Sequence, residues 1–218
     1  DNGGDALYAA ARLAEHATID VVLTSDRANR EALAAALDAG ARLRGAGEVC
    51  AEPGTYTVIV DGLLGIGARA DARLRGVARA VVERLLPLAL EPGTSVVAVD
   101  IPSGLHPDDG AADHAVLPAA ITVTFGAVKA GLVRGRGPET PLDPRYLQLS
   151  CTANGENGDV VARGVGLGGR RHDGACAWWS WWWWWAPRRR PPRCSRACRP
   201  GRSDRACALL RPAAAQPP

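Results

Sequence analysis

Thr57 to Asp61 reads TVIVD and Ser95 to Asp100 reads SVVAVD, two short β-branched runs that each end in an aspartate followed by small residues. Apolar residues at successive positions suit strands buried on both faces, as in a parallel sheet covered by helices. Working outward, Ile19 to Thr24 and Ile121 to Phe125 (ITVTF) are two more such runs, and Tyr146 to Leu149 reads as a last, edge-like strand. Helical patterns fall between them. Leu7, Ala10, Ala11 and Ala14 recur at helical spacing from Asp5 to about Glu15. Asn29 is placed to cap a helix that runs to Asp38 and stops at Gly40, and Leu74 to about Leu86 is a third. Alternating strands and helices are the pattern of a doubly wound α/β domain.

In open α/β sheets the ligand crevice lies at the carboxyl ends of the strands, which is where Asp61 and Asp100 fall. Asn2-Gly3-Gly4-Asp5 precedes a helix, so this loop belongs on the same rim, with backbone N–H groups available to an anion. Taken singly, an aspartate at a strand end is often a cap or turn former, and Gly-Gly is often only a turn. Three such loops on one rim mark a candidate site.

The composition divides the chain. Residues 1–169 carry 15 basic and 21 acidic side chains, net −6, while residues 170–218 carry 11 Arg and 2 Asp, net +9. The overall charge of +3 describes neither part. The front part is rich in Ala, Val and Leu and long enough to bury a core. The back part holds all seven Trp (Trp178, Trp179 and Trp181 to Trp185) and four of the six Cys. No stretch approaches the roughly 20 apolar residues of a membrane helix; Val81 to Leu90 is interrupted by Glu83, Arg84 and Pro87. No signal peptide is legible, and Cys50 and Cys151 stand alone rather than in a disulfide pattern, so a cytoplasmic protein with free thiols is expected. The chain has no Met and opens inside what reads as a loop, from which a natural start further upstream is expected.

Four motifs then occur in order: Asn2-Gly3-Gly4-Asp5 before an Ala-rich helix, DGLLGIG (Asp61 to Gly67) with Leu74-Arg75-Gly76, VAVDIPSGL (Val97 to Leu105), and TVTFGAVKAGL (Thr122 to Leu132). Over about residues 1 to 135 the chain resembles the NAD(P)H-hydrate epimerase family, the YjeF N-terminal-type domain. The resemblance implies a Rossmann-like, doubly wound, mostly parallel sheet in a three-layer αβα sandwich. It implies interconversion of the C6 epimers of hydrated NADH and NADPH in cofactor repair, with a bound potassium ion. Residue by residue, it implies that Asp1, Asn2, Gly3, Gly4 and Asp5 line the substrate site, together with Gly65, Ile66, Gly67, Ala68 and Arg69. Asp100 matches the family's catalytic carboxylate, and Lys129 a lysine near the substrate. Asn2, Asp61 and Ser103 match the oxygen ligands of potassium.

The residues themselves agree with these roles. Potassium is a hard cation, and a carboxamide, a carboxylate and a hydroxyl are oxygen donors of the right kind. Glycines let backbone amides approach a pyrophosphate. Epimerising a carbon that bears a hydroxyl moves a proton on and off oxygen, work for a carboxylate worth about 10²–10⁴-fold. Lys129 is the only Lys among 26 basic residues. Its bland reading is a solvated surface charge, against which stand its apolar and Gly neighbours.

Three departures from the family pattern stand out. Asp1 replaces a usual Asn and adds charge near the phosphate and potassium sites, and Ala6 replaces a usual Gly. The first strand that in the family leads into the Gly-rich loop is missing, from which unpaired strand edges and an open core are expected. The domain division expected is 1–150 for the epimerase-like domain, 151–169 for a linker and 170–218 for a disordered or out-of-frame tail. A run of Trp is a run of TGG codons, which two bases out of frame reads as GTG, or Val. Adjacent Trp alternate direction and make a poor stacking platform for single-stranded nucleic acid. Cys194, Cys198, Cys207 and His172 are poorly spaced for zinc.

The partner expected is therefore a small-molecule substrate, with no nucleic acid and no membrane, and with a homodimer left open. Many family members continue into an ADP- or ATP-dependent dehydratase domain, of which no residue here gives a sign. Two other functions stay in view. One is a non-catalytic scaffold of the same fold binding protein or RNA, which needs none of Asn2, Asp61, Asp100, Ser103 and Lys129. The other is a dinucleotide oxidoreductase, whose G-x-G-x-x-G fingerprint fails here at Ala70.

Overall fold

A computed structural model describes residues 1–67, 72–137, 145–151, 160–166 and 206–211, the segments 145–151 and 160–166 by their backbone. The elements are α1 (Asn2–Leu13), β1 (Thr18–Leu23), α2 (Arg30–Asp38), β2 (Arg42–Leu43), α3 (Ala46–Ala51), β3 (Val58–Gly62), α4 (Gly76–Ala89), β4 (Ser95–Val99), β5 (Ile121–Phe125), α5 (Ala130–Val133), β6 (Arg145–Cys151), β7 (Val160–Gly166) and β8 (Ala206–Arg211). The strands form one sheet in the order β2-β1-β8-β3-β4-β5-β6-β7. β1 and β2 are parallel, as are β3, β4, β5 and β6 in succession.

Helices cover both faces, as a doubly wound sheet requires. On one face Ala6, Leu7 and Ala10 of α1 and Ala32 and Ala36 of α2 pack on Ile19, Val21, Val60 and Val99. On the other, Val49 of α3 and Ala78, Val81, Val82 and Leu85 of α4 pack on Val22, Ile59, Val96 and Ala98. Each fully buried Val or Leu contributes about 1.5–3 kcal/mol. Asn29 caps α2 as expected, its side chain accepting from Ala32 N–H at 3.0 Å. Among the described residues no helix is long and apolar enough to cross a membrane.

The centre of the sheet departs from expectation. The slot between β1 and β3 is filled by β8, from within the segment expected to be tail. β8 runs antiparallel to both neighbours, pairing Thr18 to Leu23 with Arg211 to Ala206 and Val58 to Gly62 with Leu210 to Ala206. Ala206, Ala208 and Leu210 join the α1/α2 face, and Cys207 and Leu209 the α3/α4 face. The core is therefore closed where an open core was expected, and residues 206–211 are ordered structure rather than tail. The reason is ACALL, a five-residue apolar run that suits a strand buried on both sides. Its end is pinned by charge. Arg211 Nε donates to Asp20 Oδ2 at 3.1 Å, and the guanidinium stacks 5.0 Å from the centre of the Tyr56 ring. Asp20 is wholly buried and also accepts from Tyr56 OH at 2.9 Å and from Arg42 Nη2 at 2.7 Å.

Two boundaries also move. β7 lies inside the expected linker and pairs antiparallel with β6. β6 is consequently flanked on both sides, by β5 and β7, rather than being the edge. The Trp run, Cys194, Cys198 and His172 lie outside the described residues.

Candidate functional site

The carboxyl ends of β3 and β4 meet the first turn of α1, and the end of β5 lies against Asp100. That turn is Asn2-Gly3-Gly4, so the expected Asn2 to Asp5 loop is helix throughout. Asp1 is the N-cap and its Oδ1 accepts from Gly4 N–H at 2.7 Å. The expectation that this backbone is open to an anion is thereby corrected for Gly4, whose N–H is already satisfied by a carboxylate. Asn2 is nearly buried, and its Nδ2 donates to Val99 O at 2.6 Å, tying α1 to the end of β4.

Two glycines make this docking possible. A Cβ on Gly62 would stand 2.5 Å from Ala6 Cβ and 2.7 Å from Asn2 O, and one on Gly65 would overlap the Asn2 carboxamide. Only a residue without Cβ lets α1 approach the end of β3 so closely.

Asp100 follows β4 with φ +69°, the only non-glycine with positive φ among the described residues. The left-handed region costs an L-residue about 1–2 kcal/mol, least for Asn and Asp. The strained backbone holds the carboxylate, 5 % exposed, at the rim. Its Oδ1 accepts from Phe125 N–H at 3.0 Å, from Thr124 OH at 3.2 Å and from Lys129 Nζ. Lys129 sits before α5, its side chain mostly buried, and also donates to Phe125 O at 2.8 Å and Thr124 Oγ1 at 3.1 Å. It is a paired, mostly buried ammonium beside Asp100 rather than a solvated surface charge.

Asp61 is wholly buried on β3. It accepts from Ser103 N–H at 2.8 Å, from Ser103 OH and from Leu63 N–H at 3.3 Å. Ser103 Oγ in turn accepts from Leu64 N–H at 2.8 Å. Burial pushes the Asp61 carboxyl above its usual range, and these hydrogen bonds pull the other way. Contacts therefore run from Asn2 through Gly65 and Leu64 to Ser103 and Asp61, bringing the three potassium-ligand candidates into one neighbourhood. Asp5 stands at the rim, its carboxyl raised by desolvation and, more weakly, by the Asp100 charge. Ile66 and Gly67 are exposed beside Gly65, and Ala68 and Arg69 lie outside the described residues. Among the described residues no group of three or more His, Cys, Asp or Glu is arranged for a metal ion.

Sequence reasoning missed Thr124 and the Phe125 N–H. The clue was available: Thr122 and Thr124 are hydroxyls at alternate positions of an otherwise apolar strand, and both are buried.

A family model described as YjeF-related protein N-terminus matches residues 1–131. The chain belongs to this family. A protein of Microbacterium testaceum named NAD(P)H-hydrate epimerase is 63% identical over 140 residues, 64% of this chain and 54% of that protein. A Clavibacter michiganensis protein of the same name is 47% identical over 147 residues, 63% of each chain. The Escherichia coli protein named bifunctional NAD(P)H-hydrate repair enzyme Nnr is 39% identical over 141 residues, 62% of this chain and 26% of that one. The chain spans about half to two-thirds of the two epimerase-named relatives. The family match ends before β6, so the strands after residue 131 lie outside it.

Proposed function

We propose that this chain epimerises hydrated NADH and NADPH at C6, with Asp100 as the acid/base. The reading is carried by one observation: a carboxylate held by strained backbone at the carboxyl ends of the strands, against a mostly buried ammonium. Such a group is built for proton exchange with a hydroxyl brought to the rim. The relatives named for this activity support the substrate class. The helix turn at Asn2 to Asp5 and the loop from Gly65 supply the walls of the site.

A potassium ion fits the neighbourhood of Asn2, Asp61 and Ser103. The supporting observation is Asp61, a wholly buried carboxylate whose partners among the described residues are hydrogen-bond donors without a cation. Asn2, Asp61 and Ser103 would hold the ion, whose charge would offset that of the buried carboxylate. Lys129 performs the matching task at Asp100, holding the carboxylate by charge.

The test mixes the full chain with the slow-reacting epimer of hydrated NADPH and follows conversion by chromatography, in potassium and in N-methylglucamine buffers. Conversion well above the spontaneous rate, faster in potassium, is expected. A rate equal to the spontaneous one in both buffers would overturn the reading.

A further inference from the structure

The two oxygens of Asp100 are unequally used. Oδ1 accepts all three donors, Phe125 N–H, Thr124 OH and Lys129 Nζ, and Oδ2 accepts none among the described residues. Asp100 is 5 % exposed, so the carboxylate keeps a narrow opening to the rim. Thr124, whose side chain is wholly buried, touches both the carboxylate and the ammonium. Lys129 Nζ donates to Thr124 Oγ1 at 3.1 Å, which commits a lone pair of the hydroxyl. Its single hydrogen is then shared between Asp100 Oδ1 at 3.2 Å and Ala127 O at 3.4 Å, with the carboxylate nearer and charged.

We propose that Oδ2 is the atom that exchanges the proton with substrate, and that Thr124 is a positioning residue that fixes Oδ1 so that Oδ2 faces the rim. The proposal rests on the epimerase reading. In the step, the substrate O–H bond breaks as Oδ2–H forms, the electron pair stays on the substrate oxygen, and the reverse transfer restores both groups. Oδ1, with three donors on it, has no room for a second role. A carboxylate held on one side only by Phe125 N–H and the end of a long Lys side chain would have more freedom to turn about its Cβ, and small misplacements of a reacting group are costly.

The experiment compares Thr124→Val and Thr124→Ser with the wild-type full chain by steady-state epimerisation of hydrated NADPH, with folding checked by thermal unfolding. Thr124→Val is expected to lower kcat about 10-fold or more with KM within about twofold, since a hydrogen bond to a charged group is lost. Thr124→Ser, which restores the hydroxyl, is expected to recover kcat to within about threefold of wild type. Should the Val chain not fold, Thr124→Ala reads the same loss without a methyl group facing the ammonium. Wild-type kcat in a folded Val or Ala variant, or a Ser variant no better than Val, would overturn Thr124's role while leaving the epimerase reading intact. A wild-type chain that converts nothing would sink both together.

Discussion

Cys207 of β8 lies directly opposite Asp61 of β3, in antiparallel register at the centre of the sheet. The residue that belongs to the candidate site and the residue that belongs to the basic back part of the chain are thus direct neighbours. Ala206, one position away, sets its carbonyl 3.0 Å from where a Cβ on Gly62 would be. The walls of the site are therefore shaped in part by residues 206–211.

This neighbour relation has a chemical consequence. Burial, and after it the charge of Asp61, pushes the Cys207 thiol well above its usual range. In the folded chain Cys207 is expected to resist iodoacetamide, and to be labelled only when the sheet unfolds. Peptide mapping by mass spectrometry checks this. Labelling of Cys207 at the rate of a free thiol in native buffer would mean that β8 is not in the slot.

The Asp20 cluster is expected to matter to stability through the last strand. Asp20 is wholly buried, and Arg211 is one of its donors. Arg211→Met keeps an aliphatic stem but removes the charge, leaving Asp20 to Arg42, Arg44 and Tyr56. A loss of about 2 kcal/mol in urea unfolding is expected, below the usual cost of a broken buried pair because other donors remain. A change within about 0.5 kcal/mol would show that apolar burial alone holds β8.

Asp61 makes stability depend on pH in a stated direction. Its folded carboxyl titrates above its usual value, so the folded state binds the proton more tightly than the unfolded chain. Its contribution is full below the unfolded value and is lost as pH rises through the raised folded value. In N-methylglucamine buffer the difference in Tm between Asp61→Asn and wild type should therefore grow in favour of the variant as pH rises across that window. Potassium should offset the trend in wild type and leave Asp61→Asn unmoved. Equal responses to potassium would remove Asp61 from the proposed cation site.

Asp1 caps α1, and under the proposed function its carboxylate lies beside an anionic substrate. Asn caps about as well as Asp, so Asp1→Asn should keep the helix and remove the charge. A KM lower by about threefold at low ionic strength, with the gain fading in high salt, is expected. An unchanged KM would place the phosphates of the substrate away from this turn.

Most of the framework could be read from the runs TVIVD, SVVAVD and ITVTF, because apolar continuity and terminal aspartates report burial and rim position directly. Asp61 and Asp100 could be read for the same reason, whereas Ser103 came only from the family resemblance. β8 could not, since ACALL is short and embedded among Arg and Pro, and its placement depends on a vacancy made by strands more than 140 residues away in sequence. A propensity scan weighs neighbours in sequence, and the slot between β1 and β3 exists only in space. The first turn of α1 was hidden too, because Gly3 and Gly4 are poor helix formers and are helical here through the Asp1 cap and close packing on Gly62. Thr124 was passed over because a threonine in a strand reads as ordinary β propensity.

The most direct test of the account is the epimerisation rate of Asp100→Asn beside its affinity for hydrated NADPH, both on the full chain. Asn tolerates the left-handed backbone at this position and keeps the side chain's shape, so the fold and the site walls should survive. Binding within about threefold of wild type and a rate lower by about 100-fold or more are expected. A variant that binds and converts the hydrate at the wild-type rate would contradict the acid/base role of Asp100.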